Sequence, residues 1–262
     1  MKPVYVYIIA IILFPLSAMA QSQTLVQKAD SAYNKDNFTE ALNLYMDAAR
    51  TEGTSTDLFY NIGNAYYRLG NIGKAVVYYE RALLLDPNNQ NAKDNLDFLS
   101  TKIVDVKTGG EQNILIEAIN TLIGSNSSDT WATIAIVCFI LFVGAVMMYI
   151  FSPVVILRKI GFFGGFVLLV VVIFTNIFAF KMRNIAERHD SAVITVPSVT
   201  LSTSPRIPKD KSEEAFILNE GTKIHILDSV MNTIDSIPDK WYDVKIDDAH
   251  RAWINSKNIE II

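Results

Sequence analysis

Residues 56–89 read TDLFYNIGNAYYRLGNIGKAVVYYERALLLDPNN, and this stretch decides how the first hundred residues are organised. Ala75 and Ala82 are small residues at helix positions where a neighbouring backbone must come close, and Tyr79 between them fills the space beside that contact. The pair of helices so defined buries one stripe at 3.6-residue periodicity. Shifting the chain by 34 residues sets Ala41 on Ala75, Tyr45 on Tyr79 and Ala48 on Ala82 without a gap, so the stretch is the second copy of an internal repeat.

Within that copy Phe59, Ile62-Gly63, Tyr66, Gly70, Ala75, Tyr79, Ala82 and Pro87 fall at signature places, and the pattern resembles a tetratricopeptide repeat. The first copy, residues 22–55, departs from it, with Ala29 for the helix-contact glycine, Ala32 for Tyr66 and Asp36 for Gly70. After Pro87, residues 91–99 begin a third helix with Leu96 and Phe98 apolar, as expected of a cap that hides the last stacking face. Residues 22–100 are thus expected to form an all-α solenoid. The resemblance implies a partner-binding groove on the first helix of each repeat. Carried over by position, it presents Asp30, Tyr33, Tyr60, Asn64, Tyr67, Arg68 and Asp94. Asn64 suits an extended peptide backbone and Arg68 a carboxylate. The run NIGNAYYRLG at 61–70 is also close to the family's generic sequence, so helix stacking accounts for the same residues.

Charge organises the middle of the chain. Of 50 charged side chains in 262 residues, only Arg158 and Lys159 lie within 131–180. This block splits at the two cations into residues 131–151 and 160–180, 21 residues each, near the roughly 20 that cross a bilayer as helix. It reads as a transmembrane hairpin turning at 152–159. A formal net charge of −4 and the lack of an extended Lys/Arg run argue against a nucleic-acid partner. The lone thiol, Cys138, lies inside the first span, which excludes intrachain disulfides, thiol catalysis and Cys-based zinc sites.

Met1-Lys2, an apolar stretch over 4–16 and Ala18-Met19-Ala20 make residues 1–20 a secretory signal peptide cleaved after Ala20, with an uncleaved anchor as the alternative. Either way residues 21–130 lie across the membrane. Parity then puts the turn on the cytoplasmic side and residues 181–262 outside again. Arg158 and Lys159 in the turn agree with the positive-inside rule, whereas Lys181, Arg183 and Arg188 count against it.

Between repeats and membrane, Ile114, Leu115, Ile116, Ile119, Leu122 and Ile123, with Glu117 and Asn120 among them, give a one-sided helix over 112–124. Two placements stay open, on the outward face of the same membrane or against the repeats, since the basic face of a lipid-binding helix is missing.

From Ser191 onward, short β-branched runs alternate with turn residues: 193–196, 215–218, 223–227, 241–246 and 251–254. Five such strands predict a small barrel. Ser202-Thr203-Ser204-Pro205, Phe216-Ile217-Leu218, Glu220-Gly221-Thr222-Lys223, Trp241, Ala252-Trp253-Ile254 and Ile259-Glu260-Ile261 together resemble a bacterial SH3-like domain over 192–262. Gly221 is expected to supply a positive φ before a strand, and the tryptophans to close the core. The turn Asp248-Ala249-His250-Arg251-Ala252 departs from the family, with Ala at both places usually held by Gly. Domains of this kind bind wall-derived peptides or glycans in some proteins. Trp241, Tyr242 and Trp253 read first as core side chains, with stacking on such a ligand as the alternative.

His189, His225 and His250 stand apart in sequence with no ligand spacing, and no phosphate loop or nucleophile elbow occurs. Glu213-Glu214 and Asp247-Asp248 read as solvated acidic faces. An enzyme is not expected, and no cofactor.

The whole order makes a multidomain membrane protein: signal peptide, tetratricopeptide solenoid, amphipathic segment, two transmembrane helices and an SH3-like barrel. That order resembles the BatE-type proteins of the Bacteroides aerotolerance operon. The resemblance implies a non-enzymatic scaffold in the bacterial inner membrane, with both folded domains in the periplasm. It further implies von Willebrand A-type membrane proteins and a MoxR-type ATPase as partners, and a link to oxygen or envelope-stress tolerance. The alternative is a sensor binding peptidoglycan fragments through the SH3-like domain, although residues 152–159 are too short for an output domain.

Overall fold

The computed structural model describes residues 24–103, 114–232, 239–247 and 250–262. The expected leader at 1–20 and the Asp248-Ala249 turn lie outside the described residues. The chain divides between Thr54 and Ser55 into two compact units.

The first unit is a helix pair, α1 (Leu25–Asn34) and α2 (Phe38–Thr51). Thr24 opens α1 with a capping box: its hydroxyl accepts from the Gln27 N–H and the Gln27 side chain accepts from the Thr24 N–H, both at 3.2 Å. Ala29 and Ala32 of α1 meet Ala41, Tyr45 and Ala48 of α2 in a closely packed seam. The turn between the helices runs through Asp36 at φ 59°, a left-handed conformation that costs a non-glycine residue about 1 kcal/mol or more.

The second unit opens with α3 (Thr56–Arg68), α4 (Ile72–Leu85) and α5 (Gln90–Ser100). Each starts on a polar cap: Ser55 accepts from the Leu58 N–H, Asn71 from Lys74 and Asn89 from Ala92. Gly70 closes the α3–α4 turn at φ 79°. Gly63 lets α3 and α4 approach, because a Cβ there would lie 2.6 Å from the Tyr79 ring. The cap helix buries Ala92 and Leu99, whereas Phe98, expected among its apolar positions, is 49% exposed.

Helices α6 (Ile114–Ile123), α7 (Ser128–Phe151) and α8 (Val155–Glu187) come next. The last two form an antiparallel hairpin, and both are long and apolar enough to cross a membrane. Gly161 sets their separation: a Cβ there would stand 2.7 Å from the Ala145 carbonyl oxygen. At the open end, Trp131 packs on Phe178 at 5.2 Å and donates its indole N–H to the Ile123 carbonyl at 3.0 Å, tying α6 to the hairpin. Lys181 reaches Asn120 at 2.9 Å. Helix α8 outruns the expected span of 160–180 at both ends, and the turn shrinks to Ser152-Pro153-Val154. Arg158, Lys159, Lys181 and Arg183 mark where the apolar stretch stops, but long cationic side chains extend away from a helix without ending it.

The C-terminal part is a seven-stranded antiparallel sheet: β1 (Ser191–Ile194), β2 (Ser198–Ser202), β3 (Glu214–Asn219), β4 (Lys223–Asn232), β5 (Asp239–Lys245), β6 (Arg251–Asn255) and β7 (Ile259–Ile261). Their spatial order is β3-β2-β6-β5-β4-β1-β7. Register places Ala192 opposite both Ile224 and Ile261, Tyr242 opposite Ile254, and Val244 opposite Ala252, so alternate residues converge on one core. The expected positive φ at Gly221 is present, at 87°. Strand β2 was not among the five expected: Ser198-Val199-Thr200-Leu201-Ser202 alternates serine and threonine with only two apolar side chains.

The sheet docks on α4. The Gly73 N–H donates to Glu220 at 2.7 Å, and a Cβ on Gly73 would lie 2.5 Å from the Ile194 carbonyl oxygen, so a side chain there would hold the sheet away. Glu260 takes Lys74 at 2.5 Å and Arg81 at 2.9 Å, Arg81 also donates to the Ile261 carbonyl at 2.7 Å, and Lys223 pairs with Glu80 at 2.7 Å. Burial works to lower the Lys74 pKa, but the hydrogen bond and charge of Glu260 outweigh it, and the ammonium is held above its ordinary range. Covered on this flank as well, α4 buries Val76, Val77 and Tyr78 along with its repeat-facing residues.

Candidate partner-binding groove

Sequence reasoning nominated seven groove residues, which fall in the two units. In the first, Asp30 accepts the buried Tyr45 hydroxyl at 2.6 Å. Burial, then the hydrogen bond and charge of Asp30, push the Tyr45 phenol well above its ordinary pKa. Tyr33 stands edge-on to Phe38 at 5.1 Å. Asp30 is therefore spoken for as the acceptor for a core tyrosine, a role its sequence position did not reveal.

In the second unit Asn64 holds the equivalent place. Its Oδ1 accepts from Tyr79 Oη at 2.7 Å and from Asn95 Nδ2 at 3.1 Å, which leaves the two amide hydrogens as its remaining capacity. Tyr60 lies against Tyr79 at 5.8 Å. Tyr67 meets Phe98 of α5 edge-on at 6.2 Å, and Lys102 sits over both rings, 4.4 Å from the Phe98 centroid and 3.4 Å from the Tyr67 hydroxyl. Arg68 is exposed beside Tyr67, and Asp94 is exposed and accepts from Gln90 at 2.7 Å.

The α3 and α5 faces thus converge on one patch, Asn64, Tyr67, Asn95, Phe98 and Lys102, of which the sequence singled out only the first two for the groove. The missing signal was the spacing of Phe98 and Lys102, four residues apart at the C-terminal end of α5, with Lys102 just past the last helical residue, Ser100. Chemically the patch offers an apolar anchor point under a cation, with amide hydrogens alongside. It suits an apolar side chain followed by a carboxylate.

The sheet's rings are placed differently. Trp241 and Tyr242 are buried, Tyr242 within the sheet core and under Lys240 at 4.8 Å, so neither presents a ring face to solvent; Trp253 is half-buried. Both buried rings sit on a strand covered on both faces, which alternation alone did not indicate. One carboxylate of each acidic pair has a partner. Asp247 accepts the His250 imidazole at 2.7 Å rather than facing solvent alone. Glu213 takes the Lys209 N–H at 3.0 Å and pairs with Arg206, which together hold its carboxyl below the ordinary range. Asp243, buried, is gripped by Arg251 through Nε at 2.8 Å. Among the described residues no group of three or more His, Cys, Asp or Glu gathers as metal ligands.

Residues 56–89 match the sequence profile of the tetratricopeptide repeat family. Tetratricopeptide repeat protein 16 of Homo sapiens and that of Macaca fascicularis are each 31% identical to this chain over 87 residues, 32% of this chain and 10% of the relative. The chain spans about a tenth of the length of these curated relatives, so the likeness is one of repeats. The helical part therefore carries a tetratricopeptide repeat, a module typically non-catalytic and given to protein–protein interaction.

Proposed function

We propose that this protein is a membrane-anchored adaptor that holds a partner's peptide or helix on the α3–α5 face and thereby assembles an envelope complex. The observation that carries this reading is the cluster of half-buried Tyr67 with exposed Phe98 and Lys102, beside a tetratricopeptide repeat whose other helix, α4, is covered by the sheet. Phe98, 49% exposed, meets Tyr67 and Lys102 and so forms part of a contiguous surface patch and not an isolated apolar side chain.

Membrane insertion of α7 and α8 is supported by their length and by side chains such as Ile140 and Phe163, 63% and 66% exposed, which water would penalise. An antiparallel hairpin returns the sheet to the side it left, in keeping with the contacts between α4 and the sheet. The order of segments supports the finer reading: a BatE-type protein of the bacterial inner membrane, SH3-like in its C-terminal sheet, with both folded parts in the periplasm. On that reading its partners are von Willebrand A-type membrane proteins associated with a MoxR-type ATPase, and its setting is oxygen or envelope-stress tolerance. Confinement to the membrane raises the effective concentration of such partners without new contacts. Of the three rings a wall fragment would use on the sheet, two are buried, which leaves the groove the stronger site.

Co-purification in mild detergent tests this. Phe98→Ser with Lys102→Glu should remove von Willebrand A-type partners while the chain remains in the membrane fraction. Retention of the same partners would move the contact away from this face and sink the reading.

A further inference from the structure

At the closed end of the α7–α8 hairpin the chain builds two adjoining clefts. One, of about 320 Å³, is lined by Tyr149, Val155, Arg158, Lys159, Phe162 and Phe163. The other, of about 190 Å³, extends toward the middle of the hairpin between Phe142, Val146, Gly161, Gly165 and Phe166. Tyr149 and Phe162 line both, so the clefts adjoin through these two rings. At the edge of the second, Gly161 brings the helices together, since a Cβ there would stand 2.7 Å from the Ala145 carbonyl oxygen, whereas a Cβ at Gly165 would lie in ordinary contact, 3.6 Å from the Ala145 Cβ. The first is cationic. The Arg158 guanidinium lies 5.8 Å from the Tyr149 ring centroid, and no Asp or Glu occurs between Asp129 and Glu187. Among the described residues neither Arg158 nor Lys159 pairs with a carboxylate.

Two cations without counter-charge beside an apolar slot match the head and tail of an amphiphile. We propose that this is a binding site for an anionic phospholipid, its phosphate on Arg158 and Lys159 and an acyl chain in the slot bounded by Gly161 and Gly165. The inference rests on the reading of α7 and α8 as a membrane hairpin. Inorganic phosphate satisfies only the first cleft. A zwitterionic lipid fills the second but brings its own ammonium against the two cations.

The test is native mass spectrometry of the full chain in detergent micelles doped with phosphatidylglycerol or phosphatidylcholine. Phosphatidylglycerol should be retained over phosphatidylcholine. Arg158→Gln should lower its retention about fivefold and the Arg158→Gln, Lys159→Gln pair about twenty-five-fold, from the typical contribution of a cation near an anionic lipid surface. Arg183→Gln, at the opposite end of the hairpin, should leave retention unchanged, and excess inorganic phosphate should not displace the lipid. Equal retention of the two lipids, no loss in the double variant, an equal loss in Arg183→Gln, or displacement by inorganic phosphate would each overturn the site. Alkaline carbonate extraction of native membranes separates the two questions. Release of the chain would overturn both the hairpin reading and the site, whereas a chain that stays in the membrane with no lipid preference overturns the site alone.

Discussion

The two copies of the repeat have the same backbone written in different side chains. The N–H of Asn37 reaches the Ala32 carbonyl at 3.0 Å, and 34 residues on, the N–H of Asn71 reaches Tyr66 at 3.0 Å. Asp36 to Tyr33 and Gly70 to Tyr67 repeat the same way, both at 3.0 Å. Yet the left-handed turn is made by Asp36 in one copy and Gly70 in the other, the helix crossing by Ala29 and Gly63, and the core tyrosine is received by the Asp30 carboxylate and the Asn64 amide. A repeat is therefore specified by its hydrogen-bond geometry and buried volumes, and departures from the family's preferred residues shift the energy without shifting the path.

Substitutions that exchange the copies should test this, the helix crossing most severely. Gly63→Ala gives the second copy the first copy's residue, but the new Cβ meets the Tyr79 ring at 2.6 Å. It should cost about 2–3 kcal/mol, against about 1 kcal/mol for Ala29→Gly, in denaturant melts followed by circular dichroism. Equal costs would mean that the two crossings are interchangeable after all.

Next come the tyrosines. Tyr45→Phe strips a hydrogen bond to a charged acceptor and should cost about 2 kcal/mol, whereas Tyr79→Phe leaves Asn64 still engaged by Asn95 and should cost about 1 kcal/mol. Amide exchange of α2 and α4 would report each, and the comparison fails if Tyr79→Phe is the worse.

The same pair predicts a pH dependence. The folded Tyr45 pKa is raised, so its contribution is fully present below the unfolded value of about 10 and is lost as pH rises through the folded value. Thermal melts of the intact chain should weaken above about pH 10, and Tyr45→Phe should lack that share of the decline. Lys74, also raised, loses its contribution in the same direction, so the difference between the two chains is what isolates Tyr45.

The turns should matter least. Asp36→Gly relieves left-handed strain while freeing the unfolded chain, and Gly70→Asp does the reverse, so each should move stability by less than about 1 kcal/mol, in opposite senses. Two changes of the same sign in paired melts would show that the turns differ in more than φ.

Local rules made much of this fold legible. The 34-residue shift, the two apolar spans and the turn at Gly221 come from spacing and residue type, because each is decided within a few turns of chain. What stayed hidden depends on distant partners. Gly73 looks like one glycine among several until Glu220 and the Ile194 carbonyl are brought to it. That β5 is covered on both faces, so that the adjacent Trp241 and Tyr242 are both buried, is not written in alternation, because a covered strand and a half-covered one share residue types. In the groove, Tyr67 and Asn64 were legible from the repeat, but Phe98 and Lys102 became part of the site only through the angle at which α5 meets α3.

The docking of the sheet on α4 also has a consequence for the order of events during synthesis. The Gly73 amide waits for Glu220, 147 residues later, and translation at typical rates needs on the order of ten seconds to supply it. Throughout that interval the flank of α4 carrying Lys74 and Arg81 stands without its counter-charges, on a helix already able to pair with α3. A nascent chain halted within the hairpin would display a surface that the finished protein conceals, and a chaperone or protease able to read that basic flank could tell the one from the other.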